Sequence, residues 1–461
     1  MFSRCFSPGR LQENLVKIFL TGLIVSLAST GLAQTKIHAK EADQFVDSLG
    51  VNVHMESAHS PYNNYVAINQ RLSELGMRHF RDEINDTNPR FVDELQRIGS
   101  LGYSLCGLIE GGNDYPPQGH RLEPDLVVPM IHNLLPTIEA VEGPNEPDDG
   151  GFVYGYDQVP YPRGAIDESV DLWNIVKGNS EISALPVVVM SEGTPQNFER
   201  LAALPPSGID YATYGNMHAY QGGSVGDSLL NGFIHYSRDL TGNEPLWTTE
   251  MGYHNNTLYL GDGEQQGVSE RASAIYLPIA FLSGFNRGVL RTFSYELIDE
   301  PNTCAVALPS GECHYGLLNY NFKPKPAFTA LKNLIALLQE PGVREFEPGS
   351  LAIEFSGAPS TMRYTLLQKA SGAYYLALWN DVKVYEVARP KIAGEDLYPQ
   401  SVTIAVTFSA PKTFTIYAPN DPSGVNPTGA YTISTTPRSI TLDLPPKVLL
   451  IKIVNDNQPL P

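Results

Sequence analysis

Between residues 50 and 340 one unit recurs along the chain: a short apolar run, a polar loop, then an amphipathic stretch closing near Gly or Pro. The apolar runs are Val51–His54, Met77–Arg81, Tyr103–Ile109, Thr137–Glu142, Pro186–Ser191, Tyr211–His218, Pro245–Glu250 and Gly288–Phe293. Helical spacing of apolar positions falls at Asn64–Leu75, Pro89–Leu101, Ala165–Lys177, Glu270–Leu282 and Lys325–Leu338. Strand-like runs each followed by a helix-like stretch predict a parallel sheet with crossover helices. Eight of them favour a closed (β/α)8 barrel over an open doubly wound sheet, which would show fewer strands and a Gly-rich phosphate loop after the first.

After Pro341 the period changes. Leu351–Phe355, Arg363–Gln368, Ala373–Trp379, Val402–Phe408, Thr413–Tyr417, Tyr431–Ser434, Ser439–Leu444 and Val448–Val454 alternate apolar with polar residues between Pro, Gly, Asn and Asp. The expected appendage is an antiparallel β-sandwich of about 120 residues, with a possible additional strand from residues 35–40. The chain thus reads as residues 1–33, a barrel over 34–340, and a sandwich over 341–461. In the first segment, Arg4, Arg10 and Lys17 precede the apolar run Ile18–Ala33, which ends Gly31-Leu32-Ala33. That pattern predicts a signal peptide cut before Gln34, hence a secreted or periplasmic protein. The competing reading, a membrane anchor, asks for about 20 apolar residues.

A hydrophobic share of 42% with 18% charged residues places the chain among globular proteins. The net charge of −19 becomes −21 without the leader, a field that repels nucleic acid and anionic membranes. Of four cysteines, Cys5 belongs to the leader and Cys106 to a buried run; Cys304 and Cys313, nine apart in a loop, are the candidate disulfide, two reduced thiols being the alternative. There is no Cys-x-x-Cys and no His-Glu-x-x-His, so a zinc site has no sequence support, and no metal or cofactor is expected.

In a (β/α)8 barrel the chemistry sits where strands end, and there the residues are concentrated: Arg81-Asp82-Glu83, Glu142 through Asn145-Glu146-Pro147-Asp148, His218-Ala219-Tyr220, Thr249-Glu250-Met251-Gly252-Tyr253 and Tyr295-Glu296. Glu146 and Glu250 point into one mouth. Two carboxyl groups across a sugar-sized cleft are what glycosidic cleavage requires: one protonates the departing oxygen, the other attacks the anomeric carbon. The attacking carboxylate must stay ionised, which asks for a cation and hydroxyl donors; Arg81 and Tyr220 are the candidates. Tyr-rich loops at Gly111–His120 and Asp148–Gly164 are expected to wall the sugar subsites.

Asn145-Glu146-Pro147 at the end of the fourth run, with Glu250 in a Thr-Glu-x-Gly-aromatic context on the seventh, resembles the retaining glycoside hydrolases of the (β/α)8 superfamily called clan A. EGPNEPD at 142–148, YELIDE at 295–300 and GLLNYNFKPKPA at 316–327 look most like bacterial members similar to families 39 and 5. The resemblance spans residues 50–340. It implies an oligosaccharide or polysaccharide substrate, Glu146 as acid/base, Glu250 as nucleophile, Asn145 as partner of the sugar 2-hydroxyl, Arg81 and Tyr220 as neighbours of the nucleophile, and His218 lining the same site. Tyr295 stands where many members carry a Trp as sugar platform, and no His stands directly after the third run, which continues Glu110-Gly111-Gly112.

Two other readings remain at this stage. Gly222-Gly223-Ser224-Val225-Gly226 fits the Gly-x-Ser-x-Gly pattern of serine hydrolases, with His254 or His314 as partner. A glycan-binding or matrix protein without hydrolytic activity would also use this barrel.

Overall fold

The structure, a computed structural model, describes residues 35–56, 61–84, 89–110, 121–148, 155–261, 265–300, 310–342, 346–410, 412–421 and 438–455. The expected leader, the loop 111–120, part of the loop 148–164, Cys304 and the run expected at 431–434 lie outside the described residues.

The described chain enters through β1 (Thr35–His38) and β2 (Lys40–Glu41), then α1 (Ala42–Asp47). The barrel follows as β3 (Leu49–Asn52), α2 (Tyr65–Leu75), β4 (His79–Glu83), α3 (Pro89–Ser100), β5 (Ser104–Leu108), α4 (Pro124–Asn133), β6 (Ile138–Glu142), α5 (Arg163–Gly178), β7 (Val187–Val188), α6 (Phe198–Ala202), α7 (Asp227–Thr241), β8 (Trp247–Met251), α8 (Glu270–Asn286), β9 (Arg291–Ser294) and α9 (Pro326–Leu338). Its seven ladder-forming strands are parallel, in the order β7-β6-β5-β4-β3-β9-β8. The remaining expected run, the sixth, Tyr211–His218, closes the ring by single parallel bridges, Val188 to Tyr214, Gly215 to Leu246 and His218 to Glu250. It makes no continuous ladder because a side chain intervenes: Asn216 Oδ1 accepts from Met217 N at 2.8 Å and from Thr249 N at 3.3 Å, replacing backbone carbonyls there.

The helices follow from local chemistry. Asn64 caps α2 by accepting from Ala67 N, Gly76 ends it at φ 84°, and Ile68, Leu72 and Leu75 form the buried stripe. In α3, opened by Pro89, the stripe is Phe91, Leu95 and Ile98. Helix α8 is different: Ala272 through Phe285 are all buried, the signature of a helix covered on every side.

What covers its outer side is the second domain. Strands β10 (Ser350–Ser356), β11 (Met362–Gln368), β12 (Tyr374–Asn380), β13 (Tyr385–Glu386), β14 (Glu395–Asp396), β15 (Val402–Phe408), β16 (Lys412–Tyr417), β17 (Ser439–Leu444) and β18 (Leu449–Asn455) form a small hairpin, β13-β14, and two facing sheets. The sheets run β1-β10-β15-β17 and β16-β18-β12-β11-β2. Residues 35–41, which fall within the segment expected to be barrel, therefore serve as edge strands of both sandwich sheets, β1 antiparallel to β10 and β2 parallel to β11. Ile37 and Ala39 turn inward onto the sandwich core, which explains the pairing. In β12 one set of alternating side chains (Tyr374, Leu376, Leu378) enters that core, while the other (Tyr375, Ala377, Trp379) joins the cluster containing α8. Its run is apolar throughout because both faces are covered, each large side chain contributing about 1.5–3 kcal/mol of burial.

Polar contacts fix the same junction. Tyr276 Oη accepts from Val384 N at 2.8 Å and Tyr385 N at 3.1 Å, and Asn286 Nδ2 donates to Tyr364 O at 3.0 Å. Tyr276→Phe leaves buried N–H groups without their acceptor, and is expected to cost roughly 1–3 kcal/mol of stability, read as a lower thermal midpoint.

Candidate active site

The carboxyl ends of β3, β4, β6, β8 and the bridging sixth segment bring their side chains to one mouth. Arg81, on β4, is 4% exposed and donates five hydrogen bonds: Nε to Glu142 Oε2 (2.8 Å), Nη1 to Asn52 Oδ1 (2.9 Å) and Glu250 Oε1 (2.7 Å), Nη2 to Glu142 Oε1 (3.0 Å) and Asn145 Oδ1 (2.8 Å). The guanidinium fork thereby holds the nucleophile candidate, the residue before the acid candidate and a buried anchor in one plane of donors.

Glu250 receives two further groups. Tyr220 donates its hydroxyl to Oε2 at 2.6 Å, and His218 Nδ1 lies 3.5 Å from the same oxygen. Burial alone would raise the Glu250 pKa, but His218, Arg81 and the Tyr220 hydrogen bond outweigh it, holding the carboxyl below the usual range. His218 is the mirror case. Burial works against its charge, yet Glu250 and Glu146 raise its pKa. In its charged form it donates Nδ1–H to Glu146 Oε1 at 2.6 Å and Nε2–H to Thr249 Oγ1 at 3.1 Å.

Glu146 is the more exposed carboxylate, its side chain 23% accessible. Its backbone stands at φ 36°, in the left-handed region that costs a non-glycine residue about 1–3 kcal/mol. The turn is held by Glu146 N donating to Ser191 Oγ at 3.2 Å and Asn145 N donating to Glu110 Oε1 at 2.7 Å. Behind it, burial and Asp148 push the Glu192 carboxyl up to about 10, so it keeps its proton at neutral pH. Glycines flank both catalytic candidates because backbones touch there: a Cβ on Gly143 would lie 2.1 Å from Ile109 O, and one on Gly252 2.2 Å from Tyr295 O.

All seven residues singled out from the sequence meet here. Arg81, Asn145, Glu146, Tyr220, Glu250 and Tyr295 line a cavity of about 730 Å³, and His218 lies behind Glu146 and Glu250. Tyr295 packs edge-on against Tyr220, Tyr315 and His54, with ring centroids 6.3, 5.4 and 5.6 Å apart. Glu142 and Thr249 stand at strand ends in the sequence without an assigned role, and Asn52, Asn216, Tyr315 and Glu312 carry no signal of their own there. Glu142 is fully buried and also accepts from Asn216 Nδ2 (3.0 Å) and Thr249 Oγ1 (2.9 Å). The available signal was period two: Asn216 and His218 sit two apart on the same face of the sixth segment.

Ser224 is elsewhere. Its backbone carbonyl accepts the Tyr253 hydroxyl at 2.8 Å, and a Cβ on neighbouring Gly223 would meet Val387 Cγ1 at 2.3 Å, so this loop is pressed onto the sandwich. His254 Nε2 donates to Gln265 O, and no described hydrogen bond joins Ser224 to a histidine. Cys313 is disulfide-bonded; its expected partner Cys304 lies outside the described residues.

Two groups among the described residues bring three donor atoms within 4.8 Å of one another: Glu146, His218 and Glu250, and His54, Glu296 and Glu300. In the first, the 2.6 Å between His218 Nδ1 and Glu146 Oε1 is a hydrogen-bond length, shorter than the roughly 3.3 Å between tetrahedral ligands at about 2.0 Å from an ion, so a proton joins them. In the second, Glu296 accepts from Tyr62 Oη at 2.9 Å and lies 3.5 Å from His54 Nε2, and burial together with Glu300 pushes its carboxyl well above the usual range, which favours a proton there over a cation.

Two outcomes follow for substitutions at this site. Glu250, with its depressed pKa, contributes stability that is present above about pH 4.3 and lost as pH falls through its folded value. Arg81→Met should cost roughly 3–5 kcal/mol near pH 7 by leaving buried carboxylates unpaired, a penalty that shrinks towards pH 4 in denaturant titrations. His218→Asn removes the positive charge facing Glu250, raising its pKa, so the acid limb of kcat/KM should move to higher pH; an unmoved limb would contradict this electrostatic role.

No protein-family model matches the chain, and no curated protein matches it in sequence. Solved structures do match in fold. A family 39 glycoside hydrolase from Bacteroides cellulosilyticus WH2 superposes with a TM-score of 0.59 at 13% identity, covering 91% of this chain and 83% of its own. A monomeric β-xylosidase from Caulobacter crescentus CB15 gives 0.55 at 13% identity, over 92% and 98%. The GH39 enzyme from Xanthomonas axonopodis pv. citri gives 0.54 at 13% identity, over 92% and 96%. The chain therefore shares with these structures one fold, a (β/α)8 barrel carrying a β-sandwich.

Proposed function

We propose that the protein is an exported glycoside hydrolase that cleaves O-glycosidic bonds of an oligosaccharide or polysaccharide with retention of anomeric configuration. The observation that carries this reading is the pairing of Glu146 and Glu250: one carboxylate oxygen of each lies within 4.8 Å of the other, at the floor of a sugar-sized cavity. Such closeness supports direct attack over the wider spacing of about 6.5–9.5 Å that an interposed water requires. The fold shared with family 39 glycoside hydrolases adds support, as does the basic-then-apolar leader for export. No described helix is long and apolar enough to cross a membrane.

The chemistry then runs in two displacements. Glu250, kept ionised by Arg81, His218 and Tyr220, attacks the anomeric carbon while Glu146 delivers its proton to the departing glycosidic oxygen. The Glu146 carboxylate so formed faces His218 Nδ1–H at hydrogen-bond distance, which stabilises the charge just created. Glu146 next takes a proton from a water whose oxygen attacks the same carbon, releasing Glu250 and the sugar. Asn145, held by Arg81 and Ser191, presents its amide beside the acid, where a 2-hydroxyl would meet it. Tyr295 and Tyr315 give the cavity the aromatic faces on which sugar C–H groups pack.

Assay on a panel of aryl glycosides and polysaccharides should show hydrolysis that falls about 10³-fold or more in both Glu146→Ala and Glu250→Ala. Hydrolysis surviving both substitutions overturns the site, and glycan binding without hydrolysis of any substrate favours a binding protein. Proton NMR of the first-formed product should show the retained anomer; the inverted one removes the double displacement.

A further inference from the structure

The turn that carries Glu146 is gripped from outside by the segment after β7. Ser191 N donates to Pro144 O at 3.3 Å, Glu146 N donates to Ser191 Oγ at 3.2 Å, and the Ser191 hydroxyl donates to Asn145 Oδ1 at 3.4 Å. Further along the same segment, Gly193 N and Thr194 N donate to the two carboxylate oxygens of Asp148 at 2.9 and 3.0 Å, and Asn197 Nδ2 donates to Oδ2 at 2.7 Å. Between these two grips lies Glu192, fully buried, with no part in the bond-breaking steps.

The two oxygens of Glu192 face opposite demands. Oε2 accepts the Tyr161 hydroxyl at 3.2 Å. Oε1 receives no N–H or O–H, and the other partner of the side chain is Asp148, to which the carboxyl is hydrogen-bonded. Two carboxyl groups hydrogen-bond only when one of them carries a proton. The three N–H donors on Asp148 suit an acceptor-only carboxylate, so the proton belongs to Glu192. The electrostatics agree: burial, with Asp148 and Glu146 close by, pushes the Glu192 carboxyl up to about 10. Tyr161, whose ring lies under Arg200 at 5.1 Å, has its own hydroxyl pushed up by burial and by Glu192, and stays a donor. A side chain in this slot must therefore donate to one neighbour and accept from the other without holding charge. A protonated carboxyl and an amide both do so; an aliphatic group does neither.

We propose that Glu192 is a positioning residue for the acid/base: by donating to Asp148 and accepting from Tyr161 it closes the clasp that holds the Glu146 turn at φ 36° and aims its carboxyl at the glycosidic oxygen. This rests on the glycosidase reading for the role of Glu146. An acid matters in proportion to how poorly the departing group leaves, so a misplaced acid gives a graded loss that general damage to the fold does not. Glu192→Leu should lower kcat/KM about 100-fold for phenyl and alkyl glycosides, but no more than about threefold for the matched dinitrophenyl glycoside, whose phenolate departs unaided. Glu192→Gln, which keeps both hydrogen bonds, should stay within about threefold of the native protein on all of them. Asp148→Ala, which removes the other end of the tie, should repeat the graded loss. An equal loss on good and poor leaving groups, or a Gln variant as impaired as the Leu variant, overturns the proposal. Should the native protein cleave no aryl glycoside, the hydrolase reading falls, and proton NMR of the full chain decides the clasp by itself. The far-downfield resonance of the short His218 Nδ1–H to Glu146 hydrogen bond, identified by its loss in His218→Asn, should persist in Glu192→Gln and move upfield in Glu192→Leu. The same resonance in both Glu192 variants refutes the positioning role.

Discussion

The Arg81 guanidinium sits at the mouth of the barrel with five hydrogen bonds divided among residues from β3, β6, β8 and the loop behind β6. A buried cation is costly unless its partners are complete, and two glutamates buried beside it would be costlier still without it. Each therefore requires the others. Strand positions, the rotamer of Glu250 and the placement of Asn145 all follow from meeting the geometry of one planar fork. His218 balances the remaining charge: two buried cationic groups face Glu142, Glu250 and the partly buried Glu146, which holds the two candidate catalytic carboxylates close without leaving them both uncompensated.

Much of this was legible in the chain. The eightfold recurrence pointed to the barrel because each unit must bury one face of a strand and one stripe of a helix, and that demand writes itself into spacing. The candidate residues were legible because barrel chemistry clusters where strands end. What escaped was everything that depends on register. Glu142, Asn216 and Thr249 are polar residues on strand-like runs, and a polar residue facing inward looks the same in sequence as one facing out. Glu312 escaped for a different reason: it comes from a long connection far along the chain after β9, and its approach to Glu250 is a tertiary fact. A strand from residues 35–40 joining the sandwich was open from the sequence, but its division into β1 and β2, pairing with β10 and β11 more than 300 residues away, was not, since no periodicity speaks over that distance.

The left-handed backbone of Glu146 and the protonated Glu192 behind it belong to one arrangement. Asp148 accepts from Gly193 N, Thr194 N and Asn197 Nδ2, tying the loop after β6 to the segment after β7. With Ser191 holding Glu146 N, the acid candidate is pinned from the neighbouring strand and not by its own loop alone. Strain at one residue persists when its surroundings over-determine it, and here they do.

Helix α8 leads out of the strand that bears Glu250 and is enclosed by barrel on one side and sandwich on the other. A sugar-binding module on a tether would be dispensable, its loss leaving the enzyme intact. Here removal of the sandwich would strip the cover from Tyr276, whose hydroxyl accepts from Val384 N and Tyr385 N, and with it the β12 side chains that pack on α8. The two domains share one hydrophobic core across α8, so a recombination event that exchanged the sandwich for another module would have to replace the cover of the barrel's seventh helix along with it.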